Sequence, residues 1–186
     1  MNLRRLSRLI GVHKRPKLYG SIAAVILLGG FLLPEELRIP VDGATTADWN
    51  PDTFWYEPWG ASGVHKGIDI FANSGRPVLA ATGGLVLFSG RLGAGGEAIT
   101  ILGPKWRVHY YAHLKQRHVH AGAAVRRGAA IGSVGNSGNA AGKPSHLHYA
   151  IVTMVPYPWR ITMQTQGWKR MNYLDPNEKL RADNVE

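Results

Sequence analysis

The 186-residue chain has no cysteine. That absence excludes disulfides, cysteine-based zinc fingers and thiol catalysis, so any metal must be held by histidine and carboxylate. Charged residues are sparse at 18 %. Within residues 61–155 no stretch keeps the 3.6-residue apolar period of an amphipathic helix. With 23 glycines, these absences argue against a helical bundle and predict an all-β, turn-rich domain. No internal repeat is present, and the length leaves room for one domain with a real core plus some non-domain sequence.

Acidic residues are missing where basic ones are densest. Arg4, Arg5, Arg8, Lys14, Arg15 and Lys17 occur in the first 17 residues with no acid among them. The other 16 basic residues face 12 acids, so most of the formal +10 charge belongs to the N-terminal segment. That block precedes an apolar run and is not part of a recognisable binding module, which argues against nucleic acid as a partner. The run LYGSIAAVILLGGFLL, residues 18–33, carries no charge. It is slightly short of the roughly 20 residues needed to cross a bilayer as a helix, and snorkelling Lys17 and Arg38 could extend it. Basic residues on its N-terminal side predict that end cytoplasmic and everything after it translocated. No small-x-small cleavage pattern follows Leu33 closely, which favours an uncleaved anchor over a signal peptide.

The chain therefore divides into a cytoplasmic basic segment (1–17), a single transmembrane signal-anchor helix (18–35), a tether and lead-in segment (36–57), a folded domain (58–176) and a polar, frayed tail (177–186). Prolines at 34, 40, 51 and 58 argue against long regular structure in the tether. Trp49, Phe54, Trp55, Tyr56 and Trp59 are too aromatic for a free linker and are expected to cap the core edge or form a substrate platform. In the domain, strands are expected within 77–90 (two, around Gly83-Gly84), 97–103, 106–114, 123–135 and 146–154. They predict an antiparallel β-sheet or sandwich with a groove. Period-two alternation in 106–114 places His109, Tyr111 and His113 on one face and Val108, Tyr110 and Ala112 on the other.

Three separated segments carry chemistry: H-K-G-I-D at 65–69, Y-A-H-L at 111–114 and H-L-H-Y at 146–149. Two residues apart on a strand, His146 and His148 project from the same face, so both imidazoles can enter one cavity. His65 and Asp69 add a nitrogen and an oxygen, with Gly67 allowing the backbone path that brings them together. Two histidines and a carboxylate make a hydrolytic zinc site with water in the fourth position. Zinc lowers the pKa of such a water to about 7 and polarises a scissile carbonyl. With His65, Asp69 and one of the 146/148 pair as ligands, His113 and the other of the pair remain for proton transfer. Spacing alone leaves open which is which. Tyr111 is a candidate oxyanion stabiliser or a packing residue. His118-Val119-His120 has the same H-x-H spacing but no accompanying carboxylate, and reads as the solvated side of a hairpin.

The segments HKGIDIFANSGRPVLAATGGLV, YYAHLK, GAAIGSVGNSGNAAGKPSHLHY and the later LDP together resemble the lysostaphin-type zinc metalloendopeptidases, which cleave peptide bonds in peptidoglycan. The resemblance covers about residues 58–176. It implies one zinc per chain, with His65, Asp69 and His148 as its ligands and His113 and His146 as the catalytic histidines. The turn Gly135-Asn136-Ser137-Gly138 matches the glycine–asparagine turn that precedes H-x-H in the family. Where many members carry an acid soon after H-L-H, this chain has Tyr149-Ala150-Ile151. That position is not a ligand, so activity is expected to be retained.

The expected protein is a membrane-anchored zinc endopeptidase acting on peptidoglycan at the outer side of the cytoplasmic membrane. The alternative is a catalytically silent relative that binds the wall or regulates hydrolases. Its signature would be loss of a ligand or catalytic histidine, and all five residues are present. The regulating partner and the bond cleaved are not legible.

Overall fold

Glycine-bounded runs of branched and aromatic residues pair into nine strands in the computed structural model, which describes residues 16–183. They are β1 (Ile68–Phe71), β2 (Pro77–Leu79), β3 (Gly84–Arg91), β4 (Glu97–Leu102), β5 (Arg107–Arg117), β6 (Ala124–Val125), β7 (Ala130–Val134), β8 (His146–Thr153) and β9 (Tyr173–Leu174). Every pairing is antiparallel. The strand order is β1-β8-β5-β4-β3-β6, with β7 joined to both β2 and β5, and β9 to β8. Each segment expected to hold a strand does so. β1 and β9 are additional, being too short for their alternation to register.

The chain divides between Leu33 and Pro34 into two compact units. In the first, helix α1 spans Pro16–Leu32, and its apolar side chains, among them Tyr19, Val25, Leu28 and Leu32, are exposed. Its 17 residues amount to about 25 Å at ~1.5 Å per residue, about a turn less than a ~30 Å hydrocarbon core. Among the described residues, no helix is long and apolar enough to cross a membrane. The basic segment predicted at 1–17 lies, apart from Pro16 and Lys17, outside the described residues.

In the second unit the core gathers side chains from β1, β4, β5, β7 and β8, with Ile68, Ile99, Leu114, Ile131, Leu147 and Ile151 fully buried. The stretch 36–57, expected as a tether and lead-in, runs against this core: Leu37, Val41 and Trp49 belong to it. The Arg38 N–H donates to the Ala81 carbonyl and the Leu79 N–H to the Pro40 carbonyl. The expectation of a frayed tail is corrected within the described residues. Residues Pro176–Asp183 form helix α2, whose Leu180 is buried. The Asp175 carboxylate accepts the Asn177 N–H at 2.9 Å, and Pro176 supplies a preset first-turn φ, so the D-P pair starts the helix. Asp183 accepts the Leu37 N–H at 2.8 Å, and Trp49 Nε1 donates to Asn177 Oδ1 at 3.1 Å, tying α2 to the lead-in stretch.

The main departure from simple alternation lies in β5. Its first half pairs with β8 as far as Ala112, opposite His148; from Leu114 it pairs with β7. On its other side Tyr111 faces Ile99 and Leu114 faces Glu97, so β5 holds one more residue than β4 across this step. The extra residue is a β-bulge, and His113 adopts φ +63° there. The bulge shifts the alternation by one. His109, Tyr111 and Leu114 point into the core, whereas Val108, Tyr110, Ala112 and His113 line a groove. The predicted grouping of His113 with His109 and Tyr111 is thus corrected.

Candidate metal and catalytic site

β1 and β8 bring the first three site residues together, because their antiparallel register sets Asp69 directly opposite His148. His65 arrives from the loop before β1. Its Nδ1 lies 3.1 Å from the Thr53 carbonyl, to which only an N–H can bond, so the ring's other nitrogen presents a lone pair. That atom, His65 Nε2, is 3.1 Å from Asp69 Oδ1 and 3.0 Å from His148 Nδ1, and the latter two are 2.8 Å apart. Glycine at 67 is required by close approach: a methyl there would overlap the Tyr149 carbonyl and press on the His148 ring. Trp59 stacks on His65 with centroids 4.2 Å apart and planes 22° from parallel, closing one side of the ring.

Three electron-rich atoms so close together are stable only if a cation or a proton lies among them. Among the described residues, His65, Asp69 and His148 form the one group that could hold a metal ion. The donor set of two imidazoles and a carboxylate suits zinc. The triangle's edges are close to the ~3.3 Å separating donors that each lie ~2 Å from a tetrahedral ion. Burial would push the Asp69 carboxyl up, but the His148 and His65 rings beside it prevail. They hold it well below the usual carboxylate range.

His113 and His146 flank this triangle, their ring centroids 5.0 Å apart; His113 is 6.0 Å from His148 by the same measure, and His146 Nε2 is 3.9 Å from Asp69 Oδ2. Each has Nδ1 directed at a backbone carbonyl, Ser137 for His113 (2.9 Å) and Pro144 for His146 (2.8 Å). Each Nδ1–H donates to its carbonyl, which leaves both Nε2 atoms free to accept a proton. Burial pushes His113 down to about 4, with the neighbouring His148 and His146 adding to the effect against the Ser137 hydrogen bond. The carbonyl that orients His113 is itself fixed. The Ser137 hydroxyl accepts the Glu97 N–H at 2.9 Å, and Gly96 and Gly138, both at positive φ, pack backbone to backbone with no room for a Cβ. The Gly135–Gly138 turn therefore acts on the site through His113.

The groove has a volume of about 760 Å³ and is walled by Trp59, Phe71, Val108, Tyr110 and Tyr173. Its other lining side chains include Lys66 and Lys143, while Asp69 is the sole acid among the described lining residues. The aromatic cluster thus splits: Trp49 and Trp55 are buried and Trp59 lines the groove. Tyr111 is not in the site; it is fully buried and its hydroxyl accepts the Ala81 N–H at 2.9 Å. His118 and His120 are exposed and apart from the site. Sequence reasoning missed Lys66, Phe71, Tyr110 and Lys143. Lys66 had a signal in its place between His65 and Gly67; the others depend on the pairing of distant strands.

An antiparallel sheet carrying a long groove, with a His/Asp/His triangle and two further imidazoles in its floor, defines the site as that of a candidate metal-dependent hydrolase. The chain belongs to Peptidase family M23, a family of zinc metallopeptidases, whose profile matches residues 63–157. It is similar to the L-Ala–D-Glu endopeptidase of Bacillus subtilis (strain 168), with 34 % identity over 174 residues that cover 84 % of this chain and 48 % of that protein. The chain thus spans about half the length of that relative. The fold is like that of the catalytic domain of lysostaphin from Staphylococcus simulans, at TM-score 0.59 and 24 % identity, covering 73 % of this chain and 95 % of that one. It is also like a zinc-containing peptidase from Vibrio cholerae, at TM-score 0.52 and 27 % identity, covering 63 % of this chain and 36 % of that one.

Proposed function

We propose that the protein is a zinc-dependent endopeptidase that hydrolyses peptide bonds in peptidoglycan. The observation that carries this reading is the convergence of His65 Nε2, Asp69 Oδ1 and His148 Nδ1 within 2.8–3.1 Å, beside two histidines whose Nε2 atoms are free. His65, Asp69 and His148 would hold one zinc ion. When bound, zinc polarises the scissile carbonyl and acidifies a water towards pKa ~7. His113 and His146 would handle the proton between them: the free Nε2 of one accepts it from the attacking water, and the imidazolium so formed returns it to the departing amine. Their Nδ1–H bonds to Ser137 and Pro144 hold both rings in the tautomer that this needs. Retention of all five groups in one groove favours an enzyme over a silent wall-binding relative.

Two groove cations favour a peptide that carries free carboxylates over a glycine bridge. Ile68 pairs with Tyr149 and Phe71 with His146. Lys66, just before β1, and Lys143, just before β8, therefore stand at opposite ends of the Asp69–His148 pair. A stem peptide with carboxylates on both sides of the cleaved bond matches that arrangement; an uncharged bridge does not.

The N-terminal unit is proposed to hold the chain at the cytoplasmic membrane, with the domain on its outer side facing the wall. Support comes from the uncharged run 18–33, the basic residues before it and the exposed apolar side chains of α1. The helix is about a turn short of a span, so anchoring would draw on its flanking residues.

The test is digestion of purified peptidoglycan by the zinc-loaded full chain, with the fragments identified by mass. New peptide termini between stem residues are expected. Intact muropeptides after prolonged incubation with a chain shown to contain zinc would sink the enzyme reading.

A further inference from the structure

Residues 154–172 follow β8 and lead into β9. Residues 158–172 lie beyond the family-matched residues 63–157. This segment presents large apolar side chains to solvent: Met154 (59 % exposed), Trp159 (79 %), Ile161 (48 %), Met163 (101 %) and Trp168 (59 %). Its charged residues are Arg160, Lys169 and Arg170, with no acid anywhere in 154–172.

The segment is built and not slack. Its two 3-10 turns, Pro158–Arg160 and Gly167–Asn172, pack on each other, which brings Trp159 and Trp168 onto one structure. Gln166 Nε2 donates to the Ser62 carbonyl at 2.9 Å, and Trp55 Nε1 to the Thr165 carbonyl at 3.2 Å. Asn172 Nδ2 donates to the Thr153 carbonyl at 3.1 Å, and the Arg170 guanidinium lies over the Trp55 ring. Tyr157 stacks behind Trp159, with centroids 5.1 Å apart. Polar groups thus hold the loop from beneath, and its apolar side chains are left outermost.

A soluble domain rarely keeps so many large apolar side chains outward on a fixed loop unless they meet another surface. Tryptophan beside exposed aliphatic side chains, with three cations and no acid in the segment itself, is the composition of a segment that lies in the headgroup layer of a bilayer; Asp175 and Glu178, close to Arg160 and Arg170, offset part of that charge. The positive charge of Arg160, Lys169 and Arg170 matches anionic lipid.

We infer that residues 154–172 form a membrane-interface loop, inserting Trp159, Ile161 and Met163 into the headgroup region of an anionic bilayer. The observation is independent of the N-terminal segment and of the catalytic reading. The loop's contact with Ser62 sets it beside the Trp59–Lys66 end of the groove. Docking would hold that end of the groove at the lipid surface.

The absence of cysteine makes a direct test available. A polarity-sensitive fluorophore is attached to Met163→Cys in the full chain, and separately to Leu87→Cys on β3 as an exposed control. Both are mixed with vesicles of phosphatidylethanolamine and phosphatidylglycerol containing a lipid-borne quencher. Any binding through the N-terminal segment is common to both proteins, so only their difference reports on the loop. The label at 163 should shift to the blue and be quenched several-fold more than the label at 87. The excess should fall at high salt, in pure phosphatidylcholine vesicles, and when Trp159→Ser is added. Equal responses at 163 and 87, or a label at 163 that stays in water, would overturn the inference and point the surface at a protein partner instead.

Discussion

Strands β5 and β8 carry a polar cluster on each face, and the two clusters have opposite fates. On the groove face lie His113, His146 and His148 with Asp69. On the core face His109 Nδ1 meets the Tyr149 hydroxyl at 2.7 Å, and His109 Nε2 lies 3.5 Å from Glu35 Oε1, while the other Glu35 oxygen pairs with Arg107. Both clusters combine imidazole with carboxylate, and both are largely buried. They differ in where the unused ring nitrogen points. The backbone pins Nδ1 of His113 and His146, leaving Nε2 facing an open groove; His109 Nε2 faces inward and has no hydrogen-bond partner among the described residues. An imidazole becomes chemistry when its second nitrogen faces a cavity, and structure when it does not.

The comparison breaks most readily at Asp69. Asp69→Ala removes the carboxylate that two histidines share and should reduce bound zinc from one per chain to none, taking activity to background. Elemental analysis of the purified variant alongside a peptidoglycan digest checks both at once. Retained zinc would mean that the triangle is not the metal site. His113→Ala and His146→Ala should each lower turnover by about 10²–10⁴-fold, the usual contribution of a general acid or base, while zinc content stays near wild type. Full loss of zinc in His146→Ala would exchange the roles of His146 and His148.

On the core face the same kind of substitution should act on stability and leave zinc alone. Glu35→Ala leaves Arg107, only 8 % exposed, as an uncompensated buried charge. Breaking a buried pair in this way costs about 3–5 kcal/mol. Urea denaturation of the zinc-loaded variant should show that loss, with the fraction still folded binding zinc normally. A stability change below about 1 kcal/mol, the scale of an exposed pair, would mean that the cluster is not closed to solvent.

How much of this contrast is legible in the sequence depends on whether its cause is local. Four of the five groove residues are legible in the H-x-x-x-D and H-x-H motifs, of which strand geometry places only His146 and His148 on one face; the choice between those two and the role of His113 rest on the family resemblance. The strands themselves follow from glycine punctuation and alternation. The face of His113 does not, because the bulge that turns it arises where β5 exchanges β8 for β7, a pairing between distant segments. For the same reason Tyr111 looks like a neighbour of the site and is in fact core. The docking of Leu37, Val41 and Trp49 is likewise non-local, since their partners come from β2 and the C-terminal helix. Helix α2 is the opposite case: its Asp175-Pro176 start is a local signal, and Leu180 is the apolar residue that the core receives.

The smallest effect expected is in pH dependence, and it sharpens the comparison at His109. Burial, with the charge of Arg107 adding to it, pushes His109 down to about 3, against ~6.5 for an unconstrained histidine. Glu35, Arg107 and Tyr149 face the ring. Because the folded value is the lower one, the unfolded chain binds the extra proton between about pH 6.5 and pH 3. Folding stability from this group is therefore fully present above pH 6.5 and declines as pH falls through the window, by up to ~1.4 kcal/mol per unit at its steepest. His109→Gln cannot take up that proton and should flatten the acid limb of stability between pH 6 and 4, even if its stability at pH 7 is lower. Urea midpoints of both proteins across that range, measured with the groove histidines intact, provide the comparison. Parallel acid limbs would mean that His109 is protonated in the folded chain, with Glu35 accepting the ion pair, and that the core-face cluster is a charged network and not a neutral one.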